Sequence, residues 1–254
     1  MSHPELVLFF FVIAFIYSSV GFGGGSSYLA ILALYPLSFK EMRLTALICN
    51  IIVVAGGTIV FVQKKQVHFR KILPLILVSV PFAFLGATMK ISQQTFFIVL
   101  GVALIVAAVL LWINTAIIRN HERELSQKTT VVKNSLLGGA VGFLSGMVGI
   151  GGGIFLSPVL NLVKWDTPRK IAATASVFIL VNSVSGIAGQ LFGLSPGINW
   201  LQIVFLAAAV FIGGQLGSRM GAVKFNQLLI RRITAIVVLL AGIEVLHKHL
   251  PWFN

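Results

Sequence analysis

Acidic residues are scarce in this chain: six Asp and Glu stand among 254 residues, against nineteen Lys and Arg. Charged residues of both signs make up only 10%, where ordinary soluble domains carry about 25%. A water-soluble fold is therefore not expected. Cysteine is nearly absent. Cys49 stands alone inside an apolar run, so it makes no intrachain disulfide and reads as a small buried hydrophobe. No basic segment precedes the apolar run that begins at Leu6, so no cleaved signal peptide is expected. A Walker glycine–lysine motif is missing, which argues against ATP drive by this chain. So are an apposed carboxylate pair and a nucleophile elbow, and no enzyme active site is expected. The histidines His3, His68, His121, His247 and His249 lie in flanks and loops, without metal-ligand spacing. No metal or other cofactor is expected.

Hydrophobic residues make up 57% of the chain. Long apolar runs cover Leu44–Val62, Ile72–Met89, Phe96–Ile113, Ile171–Phe192, Trp200–Leu216 and Ile233–Leu246. Most approach or exceed the roughly 17–20 residues that cross a bilayer as a helix. The expected class is an all-α, polytopic membrane protein, with lipid as a partner. The net charge of +13 is no footprint of nucleic acid. Its residues sit in short loops between apolar runs, as topology signals do, not on a basic domain interleaved with aromatics.

Two glycine clusters interrupt apolar stretches 128 residues apart, Gly21-Phe22-Gly23-Gly24-Gly25 and Gly149-Ile150-Gly151-Gly152-Gly153. Phe15, Val20 and Leu32 match Phe143, Val148 and Leu160 at that offset. With one residue inserted, Thr45-Ala46 matches Thr174-Ala175 and Gly57 matches Gly186; further on, Gly86 and Met89 match Gly217 and Met220. The chain divides into repeat 1 (1–113), a polar linker (114–133) expected in the cytoplasm, and repeat 2 (134–254).

Charge placement decides how each glycine-broken segment runs. If both cross fully, Lys and Arg split almost evenly between the two sides. If each dips in and returns, Lys64, Lys65, Arg70, Lys71, Arg119, Arg123, Lys128, Lys133, Lys164, Arg169, Lys170, Arg219, Lys224, Arg231 and Arg232 share one side. Only Lys40, Arg43, Lys90 and Lys248 lie opposite. The positive-inside rule prefers the second arrangement. Each half is then a re-entrant helical hairpin followed by three crossings. An odd number of crossings inverts the second half relative to the first, a plan that many secondary transporters use.

A re-entrant turn leaves unpaired backbone at membrane depth, tolerated only inside protein or beside a wet cavity. Glycine permits the positive φ and close approach that such a turn demands. The free N–H groups at the start of the second half-helix suit an anion. The expected substrate-binding set is Gly23, Gly24, Gly25, Ser26, Ser27, Thr45, Asn50, Gly151, Gly152, Gly153, Thr174 and Asn182. Ser26 and Ser27 add hydroxyl donors that Ile154 and Phe155 do not supply. Thr45 and Thr174 either cap the helices after the hairpins or meet the substrate. Asn50 and Asn182 are offset by three residues within the repeat, near one helical turn, and so share an interior region. Ser176, Ser183, Ser185, Tyr17 and Gln190 are lesser candidates. Gly138, Gly142 and Gly146, and likewise Gly213, Gly217 and Gly221, have the spacing of helix-packing seams. Glu41, Arg43, Asp166 and Arg169 read as solvated charge at the hairpin exits, and Glu244 as an interfacial carboxylate.

The duplicated G-x-G-G-G, the Thr-Ala pairs, and the Leu-Gly-x-x-Met at Leu85–Met89 and Leu216–Met220 resemble the TauE/SafE family over nearly the whole chain. The resemblance implies a prokaryotic inner-membrane permease for sulfite, sulfonate or another organosulfur anion. The expected function is secondary transport of a small, sulfur-containing anion held between the two hairpins. A passive anion channel is the alternative, and an intramembrane enzyme acting on a sulfur compound is a weaker one.

Overall fold

The computed structural model describes residues 4–19, 22–118, 131–192, 198–221 and 227–249. Among them are ten helices and no strand: α1 (Glu5–Ser18), α2 (Gly25–Leu32), α3 (Phe39–Gln63), α4 (Phe69–Thr88), α5 (Gln93–Ile118), α6 (Val131–Val148), α7 (Gly153–Leu162), α8 (Pro168–Leu191), α9 (Trp200–Gly221) and α10 (Gln227–His249). Each half supplies two helices around a glycine turn and then three long ones. Six helices, α3, α4, α5, α6, α8 and α9, are long and apolar enough to cross a membrane. Large apolar side chains such as Leu73, Leu77, Val102, Val106, Val204 and Leu240 stay exposed along the helices, a surface that a bilayer covers. Val20, Gly21, the 119–130 linker, 193–197 and 222–226 lie outside the described residues, and with them part of the charge count. Both ends of the expected linker are helical, because α5 continues to Ile118 and α6 starts at Val131.

Helix α3 starts at Ser38, whose Oγ accepts from the Glu41 N–H at 3.2 Å, one half of a capping box. Helix α8 starts after Thr167 with Pro168 in its first turn, where the missing N–H costs nothing. Thr45 and Thr174 therefore do not cap: each lies about two turns inside its helix, buried. The cap residues Ser38 and Thr167 stand at the same offset as the Thr-Ala pair, so the repeat extends to the helix starts.

Small residues set the packing. Gly138, Gly142 and Gly146 lie against the backbones of Leu75, Ser79 and Ala83, so α6 runs parallel to α4. Gly213 and Gly217 lie against the carbonyls of Phe11 and Phe15, so α9 runs parallel to α1. Any side chain at these glycines would meet backbone that cannot give way. The first helix of each half thus packs on the fourth helical element of the other. Helices α3 and α8 cross antiparallel: Thr58 meets Ser176, and Gly186 lies against Leu47. Helices α5 and α10 are also antiparallel, with Gly101 against Leu246 and Gly242 against Leu104 and Ile105.

Both hairpins bring the chain back to the end where they began. Tyr35, just past α2, hydrogen-bonds to Glu5 in the first turn of α1. Asp166, past α7, binds Lys71 at 3.0 Å, and Lys71 opens α4, which runs alongside α6. Asp166 is nearly buried and also lies 3.6 Å from Lys170. Burial pushes its carboxyl up, but the Thr167 amide, Lys71 and Lys170 together hold it below the usual carboxylate value. The expectation of solvated charge there is corrected: Asp166 locks the second hairpin to α4.

Candidate functional site

Each glycine turn places a helix start without a side-chain cap in the interior. Gly24 and Gly152 are the cap residues of α2 and α7, with φ of 87° and 82°, and neither helix start receives a side-chain hydrogen bond. Gly149 and Gly151 also take φ values of 88° and 82°, which β-carbon sterics penalise in other residues. The first amides of α2 and α7 keep the free N–H groups and the positive dipole end that favour an anion.

The two turns meet on one side chain, Asn50 of α3. Its Nδ2 donates to the Ile150 carbonyl at 2.9 Å. A β-carbon on Gly23 or Gly25 would collide with the Asn50 amide, and one on Gly151 would lie 2.8 Å from Nδ2. On Gly25 it would also lie 2.7 Å from the Ile150 carbonyl oxygen. Asn50 is fully buried, and its Oδ1 has no hydrogen-bond partner. Gly23, Gly25, Asn50 and Gly151 therefore form one cluster at the middle of the bundle. Gly24 and Gly152 do not face it. They make the turns, packed against Tyr28 and Ile13 in one case and Phe178 and Val141 in the other. Gly153 is held against Ile179.

The cluster is not symmetric. The repeat offset places Ile179 where Asn50 stands in the first half, and Ser183 where the first half has Val54. Ser183 Oγ is buried without a partner, about 3.0 Å from where a Gly151 side chain would begin. Ser183 thus joins the cluster more closely than several residues of the expected set. Ser27 Oγ is 2.6 Å from the Tyr17 hydroxyl. These hydroxyls brace the first turn against α1. Asn182 faces elsewhere: its Nδ2 donates to Ser79 Oγ at 3.0 Å and to the Phe178 carbonyl at 2.8 Å, tying α8 to α4. Three residues turn a helix about 60° short of a full circle, enough to aim Asn182 at a different neighbour.

Arg43 departs furthest from expectation. It is 3% exposed, not a solvated charge, because the Ser38 cap starts α3 early and draws Arg43 into the bundle. Its Nη2 donates to the carbonyls of Gly146 at 2.7 Å and Ala87 at 3.3 Å. The signal was available: Arg43, Asn50 and Thr58 repeat at seven and eight residues along one face of α3. Thr58 Oγ1 pairs with Ser176 Oγ at 2.7 Å further along that face. Glu244 lies exposed on α10 and takes no part. Among the described residues no cluster of His, Cys, Asp or Glu forms a metal site.

Exchanged helix pairs, two uncapped half-helices converging in the interior and an apolar exterior define a multi-pass helical membrane transporter. The chain belongs to the sulfite exporter TauE/SafE family, whose model matches residues 6–245. It is 33% identical over 242 residues to a probable membrane transporter protein, y4hK, of Sinorhizobium fredii, covering 95% of this chain and 97% of that protein. It is 26% identical over 272 residues to the probable membrane transporter protein YunE of Bacillus subtilis, covering 98% of both. A probable membrane transporter of Methanocaldococcus jannaschii, MJ0441, shares 24% over 241 residues, with 88% of this chain and 86% of that protein covered. No solved structure matches the chain. Its bacterial relatives fit a place in the prokaryotic inner membrane.

Proposed function

We propose that the protein is a secondary transporter that carries a small, sulfur-containing anion across the inner membrane, bound where the two glycine turns close on Asn50. The observation that carries this reading is the convergence itself: two uncapped helix N-termini and one buried amide share a single point in the bundle. Gly23, Gly25, Gly151, the amides that follow Gly24 and Gly152, Asn50 and Ser183 are the groups we assign to it. Asn50 has one N–H beyond that given to Ile150, and its Oδ1 suits the O–H of a protonated oxyanion. Such a site holds charge by dipoles, which favours release over tight retention. The family's name, sulfite exporter, supports sulfite as the first substrate to try. Purified protein should melt at a higher temperature with its substrate in a series of sulfite, thiosulfate, sulfoacetate, taurine, oxalate and lactate. Equal melting with all six would leave the sulfur-anion reading without support.

We also assign the membrane arrangement as two inverted repeats, with the linker and the Lys64–Lys71 loop in the cytoplasm. The opposed directions of α3 and α8, and of α5 and α10, favour it. Single cysteines in a Cys49→Ala background test it. Lys64→Cys and Thr167→Cys are expected to react only from the cytoplasm, and Ser92→Cys only from outside. Reaction of Lys64→Cys and Thr167→Cys from opposite sides would end the inverted arrangement.

A further inference from the structure

Arg43 of α3 is a buried cation. Among the described residues no carboxylate pairs with Arg43, and its Nε–H has no partner. The two carbonyls it does reach belong to the last turns of α4 and α6. Those groups lack intrahelical donors and carry the negative end of the helix dipole. They offset part of the cost of burying a guanidinium, but an unpaired charge at membrane depth still marks a functional position.

A cavity of about 450 Å³ lies over Arg43, at the end of the bundle where α3 begins and α4 and α8 end. Lys40, Thr88, Lys90, Gln190 and Phe192 are among its lining residues, and among the described residues no acidic one lines it. Gln190 is 93% buried, and its Nε2 has no acceptor. Arg43 and Gln190, from different elements, thus line one cavity, each carries a buried N–H without a partner, and three cations surround the space.

We propose that this cavity is a docking site for a small oxyanion, held by the Arg43 guanidinium and the Gln190 amide ahead of the glycine turns. It rests on the anion reading above and adds a charged site to one held by dipoles. Seven residues separate Arg43 from Asn50 on the same face, so the dock lies about 10 Å along α3 from the turns. The guanidinium offers planar, forked donors that match an oxyanion. In the second repeat the residue at the equivalent offset is Ala172. The dock therefore serves one end of the protein only, and the anion meets unequal affinity at the two membrane faces.

The test uses a reporter thiol, Thr88→Cys in a Cys49→Ala background, in the purified full-length protein. A negatively charged methanethiosulfonate reagent should modify it at least tenfold faster than a positively charged one. Sulfate or methanesulfonate should slow that reaction saturably. Arg43→Gln should remove the protection, and Gln190→Leu should weaken it about tenfold. Lys40→Gln with Lys90→Gln should lower the rate at low salt yet keep the protection, since exposed charge is screened within about 8 Å at physiological salt. If Arg43→Gln fails to fold, Gln190→Leu decides, because no helix end depends on that amide. Absence of protection by either anion in the parent protein, or full protection in a folded Arg43→Gln or in Gln190→Leu, overturns the dock. Protection without transmembrane flux of any anion in the series would sink the transport reading and leave the dock standing. Flux with a silent Arg43→Gln does the reverse.

Discussion

Gly25→Ala is expected to reduce transport at least tenfold and to lower the melting temperature. Gly25 does not take a positive φ, so backbone strain is not the cause. The added methyl would land on the Asn50 amide and 2.7 Å from the Ile150 carbonyl oxygen, well inside contact distance for carbon and oxygen. It forces the first turn away from α3 and from the second turn, at an overpacking cost of about 1–3 kcal/mol. Combining it with Asn50→Ala should restore part of the melting temperature, because the two changes share one contact and are not additive. Transport should stay low, since the amide is then missing. Gly57→Ala, on α3 with Asn50, is the control: its methyl would meet only Ser176 Oγ, at 3.9 Å, and flux should remain near that of the parent. Equal flux in Gly25→Ala and Gly57→Ala would separate the glycine turn from transport.

The second large effect is expected from Asn50→Asp. The side chains have nearly the same shape, but the donor to Ile150 becomes an acceptor. When ionised, the carboxylate repels the anion and faces a carbonyl oxygen. Protonated, the carboxyl is neutral and again offers an O–H; deprotonated, it carries the charge, and the deprotonated fraction grows as pH rises. Flux relative to the parent should therefore fall as pH rises from 5 to 8, with a loss of tenfold or more at pH 8. One lost hydrogen bond to a charged group, about 1.5–3 kcal/mol, already accounts for that factor. A relative flux that rises with pH would contradict an anion at Asn50.

Much of this arrangement was legible because backbone demands leave sharp marks in sequence. Gly24, Gly149, Gly151 and Gly152 adopt positive φ, so the duplicated clusters pointed to turns before any contact was known. The seams at Gly138–Gly146 and Gly213–Gly217 were legible for the same reason, since close backbone approach admits little else. Side-chain destinations were not. An apolar run that begins at Leu44 places Arg43 in the loop, although Ser38 and Glu41 spell a capping box that starts the helix before it. Asn182 shares a repeat neighbourhood with Asn50, but its direction depends on which helix packs beside α8. That pairing, with α4 and Ser79, arises from an exchange between the halves that no local pattern records. Ser183 ranked low because serine readily bonds its own helix backbone; only the meeting of turn and helix brings it beside Gly151.

Potential-driven sulfite flux in proteoliposomes, compared between the parent protein and Asn50→Leu, tests the proposed site most directly. An imposed potential acts on each unit of anion charge with about 2.3 kcal/mol per 100 mV, so it gives a defined driving force without a chemical gradient. The expected result is saturable sulfite flux in the parent that follows the potential, reduced at least tenfold in folded Asn50→Leu. Parent vesicles no more permeable than empty ones, or equal flux in Asn50→Leu, would contradict a sulfite carrier whose glycine turns bind the anion at Asn50.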